Sequence, residues 1–329
     1  MKGRWALLVG ILIGVSVLSL GIGAVSLSLP EVWNGVLTGV GLGSAPETAT
    51  AVIWELRMPR TLAALLVGGG IAAAGVGLRG IYRSPMAEPY LLGISPAAGL
   101  GVVIGSLFTP IGVPPVAGAI LGAATAVLMA LGIHRLTAAV GAGNRLILLG
   151  VALGLTFLAW TVTVIFVGDS PRLPTFTYFV FGSFAAVTWS HFLVALPLIA
   201  AGAAIIGVRG RALDLMSLGD APARSLGVEV QRTTTWVLVA AGIAAGASVA
   251  LAGVIGFVGL IAPHIANRIV GPRHGRSLPV AIAVGGTLLL ICDIASRLVA
   301  NPVEVPVGIV VAAIGGPALV GVLLQSRQA

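Results

Sequence analysis

The chain has 329 residues, of which 58% are hydrophobic and only 9% charged; it contains 47 glycines, carries a formal net charge of +8 and has a mean hydropathy of +1.11. A soluble domain covers its surface with about a quarter charged residues, so this composition excludes one and points to an integral membrane protein. The alternation over roughly ten residues that marks an outer-membrane barrel is absent, which leaves helices as the spanning element.

Lys2 and Arg4 precede an apolar run from Trp5 to Leu29, a pattern shared with secretory signal peptides. The run exceeds the usual apolar core of about 7–15 residues, and Pro30-Glu31 follows without a small-x-small cleavage site, so an uncleaved helix is expected. Charged and proline-rich breaks then divide the chain into about ten apolar segments: 5–29, 57–80, 90–108, 115–135, 145–168, 190–209, 234–255, 257–269, 277–299 and 305–325. Most are long enough to cross about 30 Å of hydrocarbon. The eighth is too short to span alone and is expected inside a bundle. Residues 169–189, rich in aromatics, read as a loop with a short interfacial helix.

With ten alternating crossings and both termini inside, 14 of the 18 basic residues fall on the cytoplasmic side, and Arg57, Arg60, Arg172 and Arg297 outside. This satisfies the positive-inside rule and accounts for the net charge through anionic lipid, without nucleic acid. Residues 211–232, "RALDLMSLGDAPARSLGVEVQR", form the longest cytoplasmic loop. Leu213, Leu215, Met216 and Leu218 offer apolar contacts, Gly219 can end a short helix, and Asp220 can cap a second one with Pro222 in its first turn. A knob of two short helices, facing a cytosolic partner, is the expected form; a loop lying on the membrane is the plainer reading.

A weak internal repeat pairs "AGV" at 74–76 with 252–254, and at the same offset Pro85 with Pro263 and Gly93 with Gly271. In the proposed topology such a repeat is inverted.

Conventional ATP hydrolysis is excluded, because a P-loop needs a lysine after its glycines and Lys2 is the only lysine. His134, His191, His264 and His274 lack neighbours at metal-ligand spacing, so no metal site is expected. Cys292, the single cysteine, reads as a small core residue. No nucleophile and base, and hence no intramembrane enzyme, can be assembled. Asp293 is the one acid deep enough for a proton relay, but Arg297 lies one turn on, and an i, i+4 ion pair is the simpler reading.

Six stretches occur together in order between residues 50 and 325: "ELRMPRTLAALLVGGGIAAAGVGLRG", "SPMAEPYLLGISPAAGLG", "LGDAPARSLGV", "GFVGLIAPHIANRIVG", "DIASRL" and "EVPVGIVVAAIGGP". Jointly they resemble the FecCD family of permeases from type II ABC importers of iron-siderophore complexes, haem, cobalamin and, in some members, oxyanions. The resemblance implies an all-α integral membrane protein, one permease domain over residues 1–329 of about ten transmembrane helices. It further implies a homodimer or close heterodimer, two cytosolic subunits that bind ATP and Mg, and an extracytoplasmic binding protein; no cofactor is expected in this chain.

The same resemblance assigns positions. The 211–232 loop becomes a pair of coupling helices, with Leu218, Gly219, Arg224, Leu226 and Gly227 against the ATPase subunit. Arg57, Arg60 and Arg297 become an external patch that docks the binding protein. Ser84, Pro85 and Met86, in "SPMAEP" where the family has an "NPLADP"-like turn, face Asn144 at a cytoplasmic gate. Arg79 stands where glutamine is common, either snorkelling to the cytosolic face or tuning passage of an anion. The fifth and tenth segments line the path, through Thr156, Thr163, Val310 and Ala313. The expected activity is ATP-driven uptake of a metal chelate, siderophore first and then haem or cobalamin. The alternative is a proton- or sodium-coupled secondary transporter with Asp293 as its coupling site.

Overall fold

The fold is that of a computed structural model, which describes residues 2–23, 27–39, 41–43, 46–107, 115–140, 144–167, 179–300 and 303–326. No strand occurs among them. The helices are α1 (Lys2–Gly21), α2 (Leu29–Gly39), α3 (Glu47–Ala51), α4 (Met58–Tyr82), α5 (Ile94–Leu107), α6 (Pro115–Val140) and α7 (Asn144–Val167). They continue as α8 (Trp189–Val208), α9 (Gly210–Met216), α10 (Asp220–Ser225), α11 (Val230–Ala252), α12 (Val258–Val270), α13 (His274–Leu298) and α14 (Val307–Ser326). Among the described residues, six helical stretches are long and apolar enough to cross a membrane, and four shorter apolar stretches, in α5, α6, α12 and α14, accompany them. Each of the ten segments read from the sequence overlaps one helix, and the bounds differ most at the N-terminal end.

Two differences stand out at the N-terminal end. The expected run 5–29 is not one helix: α1 stops at Gly21, and α2 begins afresh at Leu29. Ser28 and Glu31 form the start signal, the Ser28 N–H and hydroxyl both donating to the Glu31 carboxylate at 2.8 and 2.7 Å. That pairing holds the exposed Glu31 carboxyl below its ordinary range. The second segment also starts earlier than expected. A π-helical turn, Val52–Arg57, joins α3 to α4, so that Glu47–Tyr82 is one 36-residue helix.

Helix α4 is the axis of the bundle, packed on α8, α11, α12 and α13. Its glycines and alanines are the reason: Gly68 of α4 and Gly285 of α13 are so close that a side chain on either would collide with the other's carbonyl. Small residues at a crossing give the close backbone approach on which helix association in lipid depends. By contrast α1 turns Leu7, Ile11, Ile13 and Leu18 outward, as suits a helix facing lipid.

The ends of the bundle follow from side-chain ties. Arg4 donates to the Ile269 carbonyl, bringing the start of α1 beside the end of α12. Arg297 donates to the Ser19 and Ile22 carbonyls, bringing the other end of α1 beside the end of α13. One end therefore carries the start of the 83–93 turn, 209–229 and 271–273, and the other the described residues among 22–57 and 299–306. The 169–189 stretch is described only from residue 179. Residues 179–181 are helical and 182–188 form an irregular turn ahead of α8, while the part before 179 lies outside the described residues.

The offset that pairs 74–76 with 252–254 joins unlike places. Residues 74–76 are inside α4, whereas 252–254 run out of α11 into a turn. Pro85 is in a turn, and Pro263 is within α12. This register is not that of a structural repeat; shared small-residue composition accounts for the match.

Candidate functional site

At the end bearing residues 209–229, the polar loop folds as two short helices. Leu213, Met216 and Ala223 point inward and are fully or almost fully buried, while Leu218 and Leu226 are 63% and 59% exposed. Gly219, at φ +112°, is the N-cap of α10, in a conformation closed to other residues. Asp220 does not cap the helix as expected. Its carboxylate instead pairs with Arg83 at 3.1 Å, because Gly219 already turns the chain and leaves the Asp220 side chain facing the end of α4. Arg224 and Gly227 are exposed. A second tie was invisible in the sequence, since its partners are 60 residues apart: Asp214 accepts from the His274 backbone N–H at 2.9 Å and meets its Nδ1 at 2.6 Å. A carboxylate at the N-terminus of α13 is electrostatically favoured, so α9 is anchored to a spanning helix. Beneath α9 lies a cavity of about 600 Å³ lined by Arg79, Arg83, Asp214, Leu218, Asn267 and His274.

Residues 83–93 turn back into the bundle. Ser84 and Met86 are half-buried and Pro85 is exposed. Asn144 begins α7, and its side chain lies outside the described residues. Arg79 does not turn outward; its guanidinium donates to the Leu260 carbonyl inside the bundle, one turn before Pro263 in α12. The wall residues lie on the helices expected. Thr156, Thr163 and Ala313 are exposed and Val310 is half-buried, and both threonine hydroxyls donate to carbonyls one turn back, at 2.9 Å. With their hydroxyls occupied, these helix faces present little that would hold a ligand tightly.

At the opposite end the three expected docking arginines do come together, but not as an exposed patch. Asp293 is fully buried and accepts from Arg60 (Nη2 at 2.9 Å, Nε at 3.1 Å) and from Arg297 (Nε at 3.1 Å, with Nη2 in closer contact). Glu304 receives Arg60 Nη1 at 2.9 and 3.0 Å. Arg57 and Arg297 are only 6% and 7% exposed, both donating to carbonyls at the end of α1. The sequence counted their charges but not their neighbours: the last carbonyls of α1 lack helical partners and draw the guanidinium groups inward. Glu304, half-exposed, is the member of the cluster nearest the surface, and Arg60 reaches the rim through it.

Among the described residues, a helical bundle of apolar spans with non-helical turns inside it and a folded polar knob at one end defines a multi-pass membrane protein, and its likeness to solved and sequenced relatives gives it the fold of a type II ABC importer permease. The chain belongs to the FecCD transport family, whose model matches residues 11–325. It is 34% identical over 331 residues to the hemin transport system permease protein HmuU of Yersinia pestis, covering 97% of this chain and 95% of that one. It is 33% identical over 336 residues to the vitamin B12 import system permease protein BtuC of Vibrio cholerae, covering 99% and 96%. A solved structure presented as an inward-facing metal-chelate type ABC transporter superposes with a TM-score of 0.82, at 29% identity over 99% of this chain and all of the other. Family membership disfavours the secondary transporter, and the two guanidinium groups held on Asp293 give that acid a structural task instead.

Proposed function

We propose that the chain is the permease subunit of an ATP-driven importer that moves a metal chelate from an extracytoplasmic binding protein into the cytoplasm, working as a homodimer with two cytosolic subunits that bind ATP and Mg. The observation that carries this reading is the α9–α10 knob: a buried inner face, a glycine-set turn, and two large apolar side chains, Leu218 and Leu226, left outside on a helix pair anchored to α13. Exposed leucines on a folded polar loop suit insertion into a partner's cleft, with Gly219, Arg224 and Gly227 at its edges.

In this reading both termini are cytoplasmic, Ser84, Pro85, Met86 and Asn144 form the cytoplasmic gate, and Thr156, Thr163, Val310 and Ala313 line the path. Docking of the binding protein falls to Arg60 at the rim, with Arg57 and Arg297 reinforcing its potential from beneath. The names of the hemin and vitamin B12 relatives support a bulky chelate of the haem or corrinoid kind, and an iron-siderophore is the third candidate. The test is to co-express the permease with its binding protein and ATPase and to screen iron-siderophore, haem and cobalamin by thermal shift of the binding protein and by uptake into vesicles. Stimulated uptake of one class identifies the cargo. Uptake driven by a proton or sodium gradient without ATP would overturn the reading.

A further inference from the structure

Among the described residues, two non-helical segments that follow α4 and α11 enter the bundle, and buried backbone away from water must find its partners within the protein. One is the 83–93 turn. The other is 253–257, between α11 and α12, where Gly253 and Phe257 take φ values of +73° and +66°. Phe257 is one of only two non-glycine residues with positive φ among those described, so this turn is held in a conformation its sequence does not favour.

What holds it is Glu88. This carboxylate is fully buried; its Oε1 accepts the Phe257 N–H at 3.2 Å, the Leu260 N–H also bears on the carboxylate, and Oε2 would sit 3.2 Å from a side chain on Gly259. Gly259 itself lies against Ile71, midway along α4, so the acid is deep in the bundle. From α4, Arg79 supplies the neighbouring positive charge and donates to the Leu260 carbonyl in the first turn of α12. Tyr90, two residues after Glu88, stacks on Phe257 with ring centroids 6.4 Å apart. Phe257 in turn fills the space over Gly315 of α14, where a side chain on that glycine would meet its Cβ. An unbroken set of contacts therefore runs from the 84–93 turn through Phe257 to α14, the helix that carries Val310 and Ala313.

We infer that Glu88, with Arg79, is a positioning residue that latches the 84–93 turn to the start of α12, so that Met86 and the α14 wall shift as one piece. The latch rests on the gate reading only for its consequence in transport; the contacts themselves do not. Arg79 and Glu88 act on each other through the field between two buried opposite charges, so removing one strands the other, whereas removing both strands neither. Arg79→Gln and Glu88→Gln should therefore each disturb the latch more than the two combined.

The experiment uses the full chain in lipid nanodiscs. Hydrogen exchange in peptides covering 253–264 should rise about tenfold in Glu88→Ala and in Arg79→Gln, and return at least halfway to the parent rate in the double Arg79→Gln/Glu88→Gln variant. Glu88→Gln keeps an acceptor for the Phe257 N–H and the side-chain volume, so it reports even if Glu88→Ala does not fold; its exchange should rise less than that of Arg79→Gln. In a Cys292→Ser background, spin labels at Met86→Cys and Ala313→Cys should give a narrow distance distribution that broadens about twofold when Glu88→Gln is combined with intact Arg79. Unchanged exchange, additive effects of the two neutral substitutions, or an unbroadened distance would overturn the latch. The gate reading fails separately, if Met86→Cys does not cross-link to its partner copy in any nucleotide state while the exchange result holds.

Discussion

The two ends of this bundle use the same chemistry, arginine against carboxylate, to opposite effect. At the α9–α10 end the pairs are open to water: Arg83–Asp220 is 40% and 44% exposed, and Arg232–Glu229 is 65% and 70% exposed. At the other end Asp293 is fully buried, and the guanidinium groups on it are 12% and 4% exposed. An exposed pair gains little in high dielectric and is screened by salt, with typical contributions of about 0–1 kcal/mol. Breaking a buried pair strands a charge and costs roughly 3–5 kcal/mol. Identical residue types thus make one end a movable interface and the other a fixed knot tying α1, α4 and α13 together.

The largest expected effect follows from cutting that knot. Asp293→Ala leaves Arg60 without two of its acceptors and Arg297 without the carboxylate it binds, and should destabilise the folded subunit by about 3–5 kcal/mol. Thermal unfolding in nanodiscs and the yield of monodisperse protein measure this. A variant as stable as the parent would mean that the buried and exposed ends do not differ in kind. Asp293→Asn keeps the volume and should recover part of the loss. Glu304→Gln probes the graded edge of the same cluster, where one partner is 38% exposed. Its cost should fall to on the order of 1 kcal/mol, as for a charged hydrogen bond discounted for solvent.

The contrast also sets what could be read from the sequence. Span positions were legible because each apolar run must cross the same thickness; even the short element expected at 257–269 is α12, Val258–Val270. The amphipathic α2 was hidden, since an apolar run followed by a proline reads equally well as one long span. Burial of Arg57 and Arg297 was illegible for a different reason. Their acceptors are carbonyls at the end of α1, and backbone acceptors leave no trace in residue identity. Glu88 stood within a recognised motif, yet its partner is an amide 169 positions away. Only the small-residue pattern around 253–259 signalled that backbone would approach closely there.

At the exposed end, effects on stability and on function should separate. Leu226→Glu replaces an outward leucine in the α9–α10 knob, so stability should change by no more than about 0.5 kcal/mol, while capture of the ATPase subunit by the purified permease should be lost. Gly227→Trp, where a side chain meets nothing nearby but φ is +82°, should act in the same direction with some cost in local strain. Normal capture and uptake in both variants would sink the coupling assignment.

The smallest effect is expected at Arg232–Glu229, a pair three residues apart at the start of α11 with a 3.4 Å contact. Both side chains are mostly in water, so holding them together costs side-chain entropy that nearly offsets the weak attraction. Pairs at this spacing contribute about 0.2–0.5 kcal/mol. A double-variant cycle with Arg232→Gln and Glu229→Gln should therefore give a coupling energy below about 0.5 kcal/mol, and that coupling should vanish in high salt because both charges lie outside the hydrocarbon. The same cycle between Arg60 and Glu304 should give a larger coupling that persists in salt, since Arg60 is shielded on the bundle side. Equal couplings with equal salt dependence at the two ends would show that burial does not set the strength of these pairs. The separation into a fixed end and a movable end would then have to rest on helix packing alone.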